Sequence, residues 1–226
     1  MQVRLRVALL LVGMLAAVSC SHGGATVKES IHNTDQRLSV VSVNTLPTSI
    51  GPVVVGEVRN ASNAPVEGVQ VAVSLTDKAG KAIGDQFGFT LLKIVPAGAK
   101  AAFSIPYTGG PRDVSKVSAT VSADPSVKMQ YTTVQVTAKQ GEPLGTDYEV
   151  TGTVTNSSTT PVHFANVVAT FYDKAGAVVG AAHDVSDTTA LPPGGTTSFS
   201  IILQEQAAKV ATYSLAAEAQ IVDQGH

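Results

Sequence analysis

One block of this sequence occurs twice at a fixed spacing. Gly56-Glu57-Val58-Arg59-Asn60 and Gly152-Thr153-Val154-Thr155-Asn156 lie 96 positions apart. The same offset, with no gap, carries Pro65 onto Pro161, Asp77-Lys78 onto Asp173-Lys174, Gly80 onto Gly176, Gly84 onto Gly180, Gly98 onto Gly194 and Phe103 onto Phe199. The chain therefore holds two copies of one unit, each long enough to enclose a core of its own. The recurring residues are mainly those that set turns. The repetition thus constrains backbone geometry and assigns no chemistry.

Between the turn residues the apolar pattern has period two. Leu38 and Val40 begin a strand, and Val53 to Arg59 form another that stops at the turn-forming cluster Asn60-Ala61-Ser62-Asn63-Ala64-Pro65. Val69, Val71, Val73 and Leu75 alternate with Gln70, Ala72, Ser74 and Thr76, which puts the first set on one buried face. Asp77-Lys78-Ala79-Gly80 reads as a tight hairpin turn, the aspartate oxygen accepting main-chain N–H groups and the glycine taking positive φ. Further strands are predicted over about 83–92, 99–107 and 114–123. In the second copy Tyr148, Val150, Gly152 and Val154 make the early strand, Asn156 to Pro161 the turn, and Val167, Ala169 and Phe171 the inward face of the central strand. Asp173-Lys174-Ala175-Gly176 repeats the hairpin, 196–203 and 210–221 are the last strands, and Ala207-Ala208-Lys209 is a single helical turn.

Many short strands with regular turn signals predict an all-β chain of two tandem immunoglobulin-like antiparallel β-sandwich domains. Their expected bounds are 37–132 and 133–226. Val134 and Val136 align with Leu38 and Val40, so almost no linker separates the copies, which limits their relative motion.

The first residues are a separate object. Arg4 and Arg6 precede the apolar run Val7 to Leu15, and Ala16, Ala17, Val18 and Ser19 lead to Cys20, the one cysteine of the chain. This is the pattern of an export signal, residues 1–19, and not of a membrane span. Small residues at Ala17 and Ser19 also suit ordinary signal cleavage with Cys20 incidental. Leu15-Ala16-Ala17-Val18-Ser19-Cys20 resembles a bacterial lipoprotein signal, although Ala17 stands where that pattern most often has leucine. The resemblance implies that Cys20 becomes the acylated first residue, holding the chain to membrane lipid through fatty acyl groups such as palmitate. A lone cysteine in an exported chain has no internal disulfide partner, which agrees with that role. Residues 20–36 then form a lipidated N-terminus and a small, polar tether. The implied location is a bacterial cell envelope, lipid-anchored and facing the extracytoplasmic side.

The formal charge of the 226 residues is −2, and loss of Arg4 and Arg6 with the signal makes the remainder more acidic. Basic residues are scattered and aromatics are few, so a nucleic-acid partner is not expected.

Phe171-Tyr172-Asp173, with Gly152 to Asn156 upstream and Leu191-Pro192-Pro193-Gly194 followed by Phe199 downstream, resembles the FxLYD family of small extracytoplasmic β-sandwich domains. In the naming motif Ala169 takes the place of the first phenylalanine and Phe171 that of the leucine, while Tyr172 and Asp173 are kept. The first copy keeps Val73, Leu75 and Asp77, with Thr76 for the tyrosine. The resemblance implies an adhesion, scaffold or binding module and carries over no catalytic residue.

Asn60, Asp77, Gly80, Asn156, Asp173 and Gly176 are read as structural turn residues. One carboxylate per turn falls short of the several oxygens a calcium ion takes. His163 and His183 have no neighbouring histidine or cysteine at metal spacing, so no metal or other cofactor is expected. No serine lies in a Gly-x-Ser-x-Gly elbow, and Gly194-Gly195-Thr196-Thr197 lacks the lysine of a phosphate loop. The expectation is a non-catalytic, membrane-anchored envelope lipoprotein that binds an envelope protein or serves as a structural module. The alternatives are a spacer without a specific partner, and an accessory small-ligand or metal-binding lipoprotein using His163 or His183 with Asp173.

Overall fold

The computed structural model describes residues 28–33, 35–107, 113–124, 128, 130–186 and 190–222. Cys20 and the export-signal residues lie outside that range. The first copy contributes β1 (Lys28–Asn33), β2 (Leu38–Thr48), β3 (Gly51–Asn60), β4 (Val66–Glu67), β5 (Val69–Thr76), β6 (Ala82–Phe89), β7 (Ile94–Val95), β8 (Lys100–Pro106) and β9 (Lys116–Ala123). The second contributes β10 (Tyr131–Thr133), β11 (Gln135–Leu144), β12 (Asp147–Thr155), β13 (Val162–Tyr172), β14 (Val178–Val185), β15 (Thr196–Leu203) and β16 (Thr212–Ile221). Ala207–Lys209 forms a single 3-10 turn before β16.

The described chain is all-β, built of several small sheets. Their strand orders are β1-β9-β5-β6, β2-β3-β8, β10-β16-β13-β14, β11-β12-β15 and β4-β7. The 96-residue offset survives folding. β6 recurs as β14, and the Val66–Val95 pairing of β4 with β7 recurs as the bridge between Val162 and Leu191.

Pairing is antiparallel except at β1, which runs parallel to β9 from Lys28 opposite Lys116 to Asn33 opposite Val121. These residues fall within the stretch expected to be tether. Pairing along the open edge of β9 uses main-chain groups and needs no apolar alternation, so no period-two signal announces it. At the matching edge of β16 the second copy places β10, antiparallel, with Tyr131 opposite Gln220.

Alternation within each copy builds its core. Val71, Val73, Leu75, Val117, Ala119 and Val121 join Val43, Val54, Val58, Phe103 and Ile105 in one buried cluster. In the second copy Val167, Ala169, Phe171, Ala217 and Ala219 join Val150, Val154, Phe199, Ile201 and Leu203. Gly56 and Gly152 are required by these cores and by the neighbouring strand, whose Ser42 and Thr137 carbonyls leave no room for a Cβ. A Cβ at Gly56 would stand 2.5 Å from the Phe103 ring, and one at Gly152 would stand 2.6 Å from the Phe199 ring.

The two copies also share a buried seam. Val168 and Ala181 of the second copy belong to the first copy's cluster, and Val178 packs with Leu46 and Val55 in a small cluster of its own. β13 is consequently buried on both faces from Ala165 to Phe171, whereas its counterpart β5 alternates between buried and open positions. β3 is buried on both faces in the same way, and its counterpart β12 is not. The sequence differs where the environments differ. Ala72, Asp85 and Thr76 of the first copy become Val168, Ala181 and Tyr172 in the second, while Val53 and Val55 become Glu149 and Thr151.

Candidate functional site

Turn chemistry is the same in both copies. Asn60 and Asn156 are fully buried. Asn60 Nδ2 donates to the carbonyls of Ala64 at 2.7 Å and Val95 at 2.9 Å, and its Oδ1 accepts from Ser62 N at 2.9 Å and Ser62 Oγ at 2.7 Å. Asn156 repeats the set with Thr160 O, Leu191 O, and Ser158 N and Oγ. A side-chain amide supplies donor and acceptor together, which neither a carboxylate nor a hydroxyl does in this geometry. Asp77 Oδ1 accepts from the N–H groups of Ala79 and Lys81, and Asp173 Oδ1 from those of Ala175 and Ala177. Gly80 and Gly176 close these hairpins at φ 80° and 81°, in the left-handed region where a Cβ is strained.

Three titratable groups with displaced protonation, Glu218, His183 and Tyr172, lie on strands at the seam. Glu218 on β16 is 1% exposed. Its Oε1 accepts from Lys93 N at 2.6 Å and Asn166 Nδ2 at 3.0 Å, and its Oε2 from Ile94 N at 3.0 Å. Burial pushes its carboxyl above the ordinary value, against the opposing pull of the Lys93 and Ile94 N–H groups. Asn166 Nδ2 also reaches Leu91 O at 2.9 Å, and Asn166 Oδ1 lies 3.0 Å from His183 Nδ1. Because Nδ2 must donate to those two acceptors, Oδ1 faces the imidazole and His183 Nδ1–H is the donor. Partial desolvation lowers the His183 pKa, helped by nearby Lys93, which favours the neutral ring. One carboxylate thus holds segment 91–94 of the first copy onto a sheet of the second.

A second junction centres on Glu57. Tyr172 OH donates to Glu57 Oε1 at 2.8 Å, and Lys100 Nζ lies 3.0 Å from Glu57 Oε2. Burial raises the Tyr172 pKa, so the phenol stays protonated and remains a donor. Asn44 Nδ2 donates to Val178 O at 3.1 Å, and Ser49 N donates to Glu205 Oε2 at 2.9 Å.

The structure does not bring together the histidine and aspartate weighed as a ligand set. His183 is engaged with Asn166, Asp173 closes its own hairpin, and His163 stacks on Phe164 with ring centroids 4.5 Å apart. Among the described residues no group of three or more His, Cys, Asp or Glu is placed to hold a metal ion. No described helix is long and apolar enough to cross a membrane.

Sequence reasoning left Glu57, Asn166 and Glu218 unmarked. The one signal near them is the unbroken apolar run Val53-Val54-Val55 beside Glu57; Asn166 and Glu218 align with the polar Gln70 and Ser122 and carry no such mark.

No family model matches the chain, and no curated protein does. Among solved structures, red sea bream transglutaminase overlaps 76% of this chain at 15% identity and a TM-score of 0.23. Amycolatopsis orientalis exo-chitosanase CsxA overlaps 78% at 17% identity and TM-score 0.30, and a putative β-galactosidase from Bacteroides fragilis 81% at 14% and 0.25. The chain spans 27%, 25% and 32% of those three proteins. Overlaps this loose carry no argument about fold or function.

Proposed function

We propose that this chain is a lipid-anchored envelope protein whose two immunoglobulin-like, FxLYD-type sandwiches act as one non-catalytic binding or structural module. The observation that carries the reading is the seam. Glu218 accepts from Lys93 N and Ile94 N, Asn166 Nδ2 donates to Leu91 O, and Tyr172 OH donates to Glu57, so side chains of the second copy are bonded to the first at several points. The anchoring half of the proposal rests on Arg4, Arg6, the Val7 to Leu15 run and Cys20.

Phe87 and Phe89, 66% and 51% exposed on β6, favour a protein partner over a passive spacer. The spacer reading draws its support from β11, whose Gln135, Thr137, Lys139, Gln140 and Glu142 are all exposed and polar. Labelled palmitate supplied to expressing cells tests the anchor: wild type takes up label and remains with membranes, and Cys20→Ser does neither. In-cell cross-linking of the full chain tests the partner. A partner recovered with wild type and lost with Phe87→Ser/Phe89→Ser establishes binding through β6, and equal recovery with both proteins overturns that assignment. Whole-domain deletions are unsuitable, since each exposes the seam.

A further inference from the structure

The seam is not filled along its whole length. Toward the β2–β3 turn it opens into a cleft of about 240 Å³, lined from the first copy by Leu46, Ser49, Val53 and Val55 and from the second by Leu203 and Glu205. The opening has a local cause. Ser104 and Ala181, which also line the space, are too small to fill it and Leu203 packs down onto Gly180, while Val178 farther along meets Leu46 and Val55 directly. Two of the chain's exposed large apolar residues, Ile50 at 69% and Ile202 at 46%, stand at its walls.

The polar side of the cleft is held in place. Glu205 has φ 58°, a left-handed conformation that a side-chain-bearing residue adopts only when its surroundings enforce it. Here the enforcement comes from both directions. Glu205 N donates to Asp147 Oδ1 at 2.8 Å, and both carboxylate oxygens accept from Ser49, Oε2 from the main-chain N–H and Oε1 from the hydroxyl. These bonds keep the carboxyl below its ordinary pKa, hence ionised at neutral pH. No lysine or arginine is among the lining residues. The result is an apolar floor beside a fixed, ionised carboxylate with Asp147 close behind it.

We propose that this inter-copy cleft binds a small aliphatic ammonium ion, with the alkyl chain against Leu46, Val53, Val55 and Leu203 and the ammonium against Glu205. The volume equals that of about eight water molecules in the liquid, which suits an amine of five or six carbons. None of its lining residues lies on β6, so amine binding is independent of the proposed partner face.

The test is an amide NMR titration of the full chain, in detergent, with n-propylamine, n-butylamine and n-pentylamine at pH 7. n-Pentylamine is expected to shift the amides of 46–50 and 202–206 saturably. Affinity should rise about fourfold per added methylene, the worth of burying one such group. Glu205→Gln should weaken n-pentylamine about three- to fivefold. Ile50→Ser and Ile202→Ser, at exposed positions with little folding risk, should each weaken it and flatten the chain-length dependence. Binding of 1-pentanol or pentanoate as tight as that of n-pentylamine refutes the role of Glu205. Absence of saturable shifts at these amides, or shifts unchanged in the isoleucine variants, refutes the site itself.

Discussion

Asn156→Ala and Asn156→Asp together test whether a single buried amide holds each copy's main turn. Asn156 makes bonds at 2.9 Å to Thr160 O, 2.9 Å to Leu191 O, 2.9 Å from Ser158 N and 2.7 Å from Ser158 Oγ. At about 1 kcal/mol net per bond, full truncation loses about 4 kcal/mol. Ser158 and Thr160 regain some water, and Leu191 O keeps the Val162 N–H at 3.0 Å, so the expected loss is about 2–4 kcal/mol. In urea this is a midpoint drop of about 1 M, followed by far-UV circular dichroism. Asn156→Asp has nearly the same shape but turns an oxygen toward two carbonyl oxygens. At pH 7 it should therefore destabilise more than alanine. The repulsion raises the folded-state pKa of the new carboxyl above its unfolded value of about 3.9. A carboxyl with a raised folded pKa adds stability below the unfolded pKa and loses it as pH rises, so the aspartate variant should recover relative to alanine as pH falls toward 4. An alanine shift below about 0.3 M, or an aspartate variant no worse than alanine at pH 7, would refute the dual donor–acceptor role. Asn60, with a further contact to Pro96 O at 3.2 Å, should behave alike.

Tyr172→Phe removes the hydroxyl that bonds Glu57 and Ser214, while Glu57 keeps Lys100. A loss of about 1.5–2 kcal/mol by urea unfolding is expected, with little further loss when Glu57→Gln is added. Gly152→Ala forces a methyl against the Thr137 main-chain carbonyl as well as the Phe199 ring and should cost about 3 kcal/mol or more, whereas Lys174→Ala in the exposed hairpin should stay within about 0.5 kcal/mol. His183 has a lowered folded pKa, so its contribution is intact above its ordinary 6.5 and is lost as pH falls below it. His183→Gln should remove that part of the acid loss, read as melting temperature against pH. Glu218 has the opposite sign. Its raised folded pKa favours the folded state below the ordinary 4.5 and this contribution fades as pH rises, so Glu218→Gln should compare best with wild type at neutral pH and worst near pH 4.

The residue pattern dictates what each copy does locally. Val69, Val71, Val73 and Leu75 face one core because a strand alternates its side chains, and all four are buried. Asp77 and Asp173 close hairpins because an aspartate oxygen reaches N–H groups two and four residues on. Ala207-Ala208-Lys209, a single helical turn by sequence, is a 3-10 turn in the structure.

What the outward faces meet depends on how the two copies pack. Period two divides a strand into two faces but does not say whether the second face ends in water or on another sheet. Ala72 and Val168 occupy equivalent positions, yet Ala72 is open and Val168 lies in the first copy's core, because only one of the two outward faces found a partner. Glu218 is a further case. A carboxylate among alternating small residues reads as solvent-facing, and only the approach of Lys93 and Ile94, more than a hundred residues away in the chain, makes it the buried acceptor that ties the copies together. Strand, turn and core face follow from contacts between near neighbours, whereas the seam, its buried charges and its cleft follow from surfaces that exist only after both copies have folded.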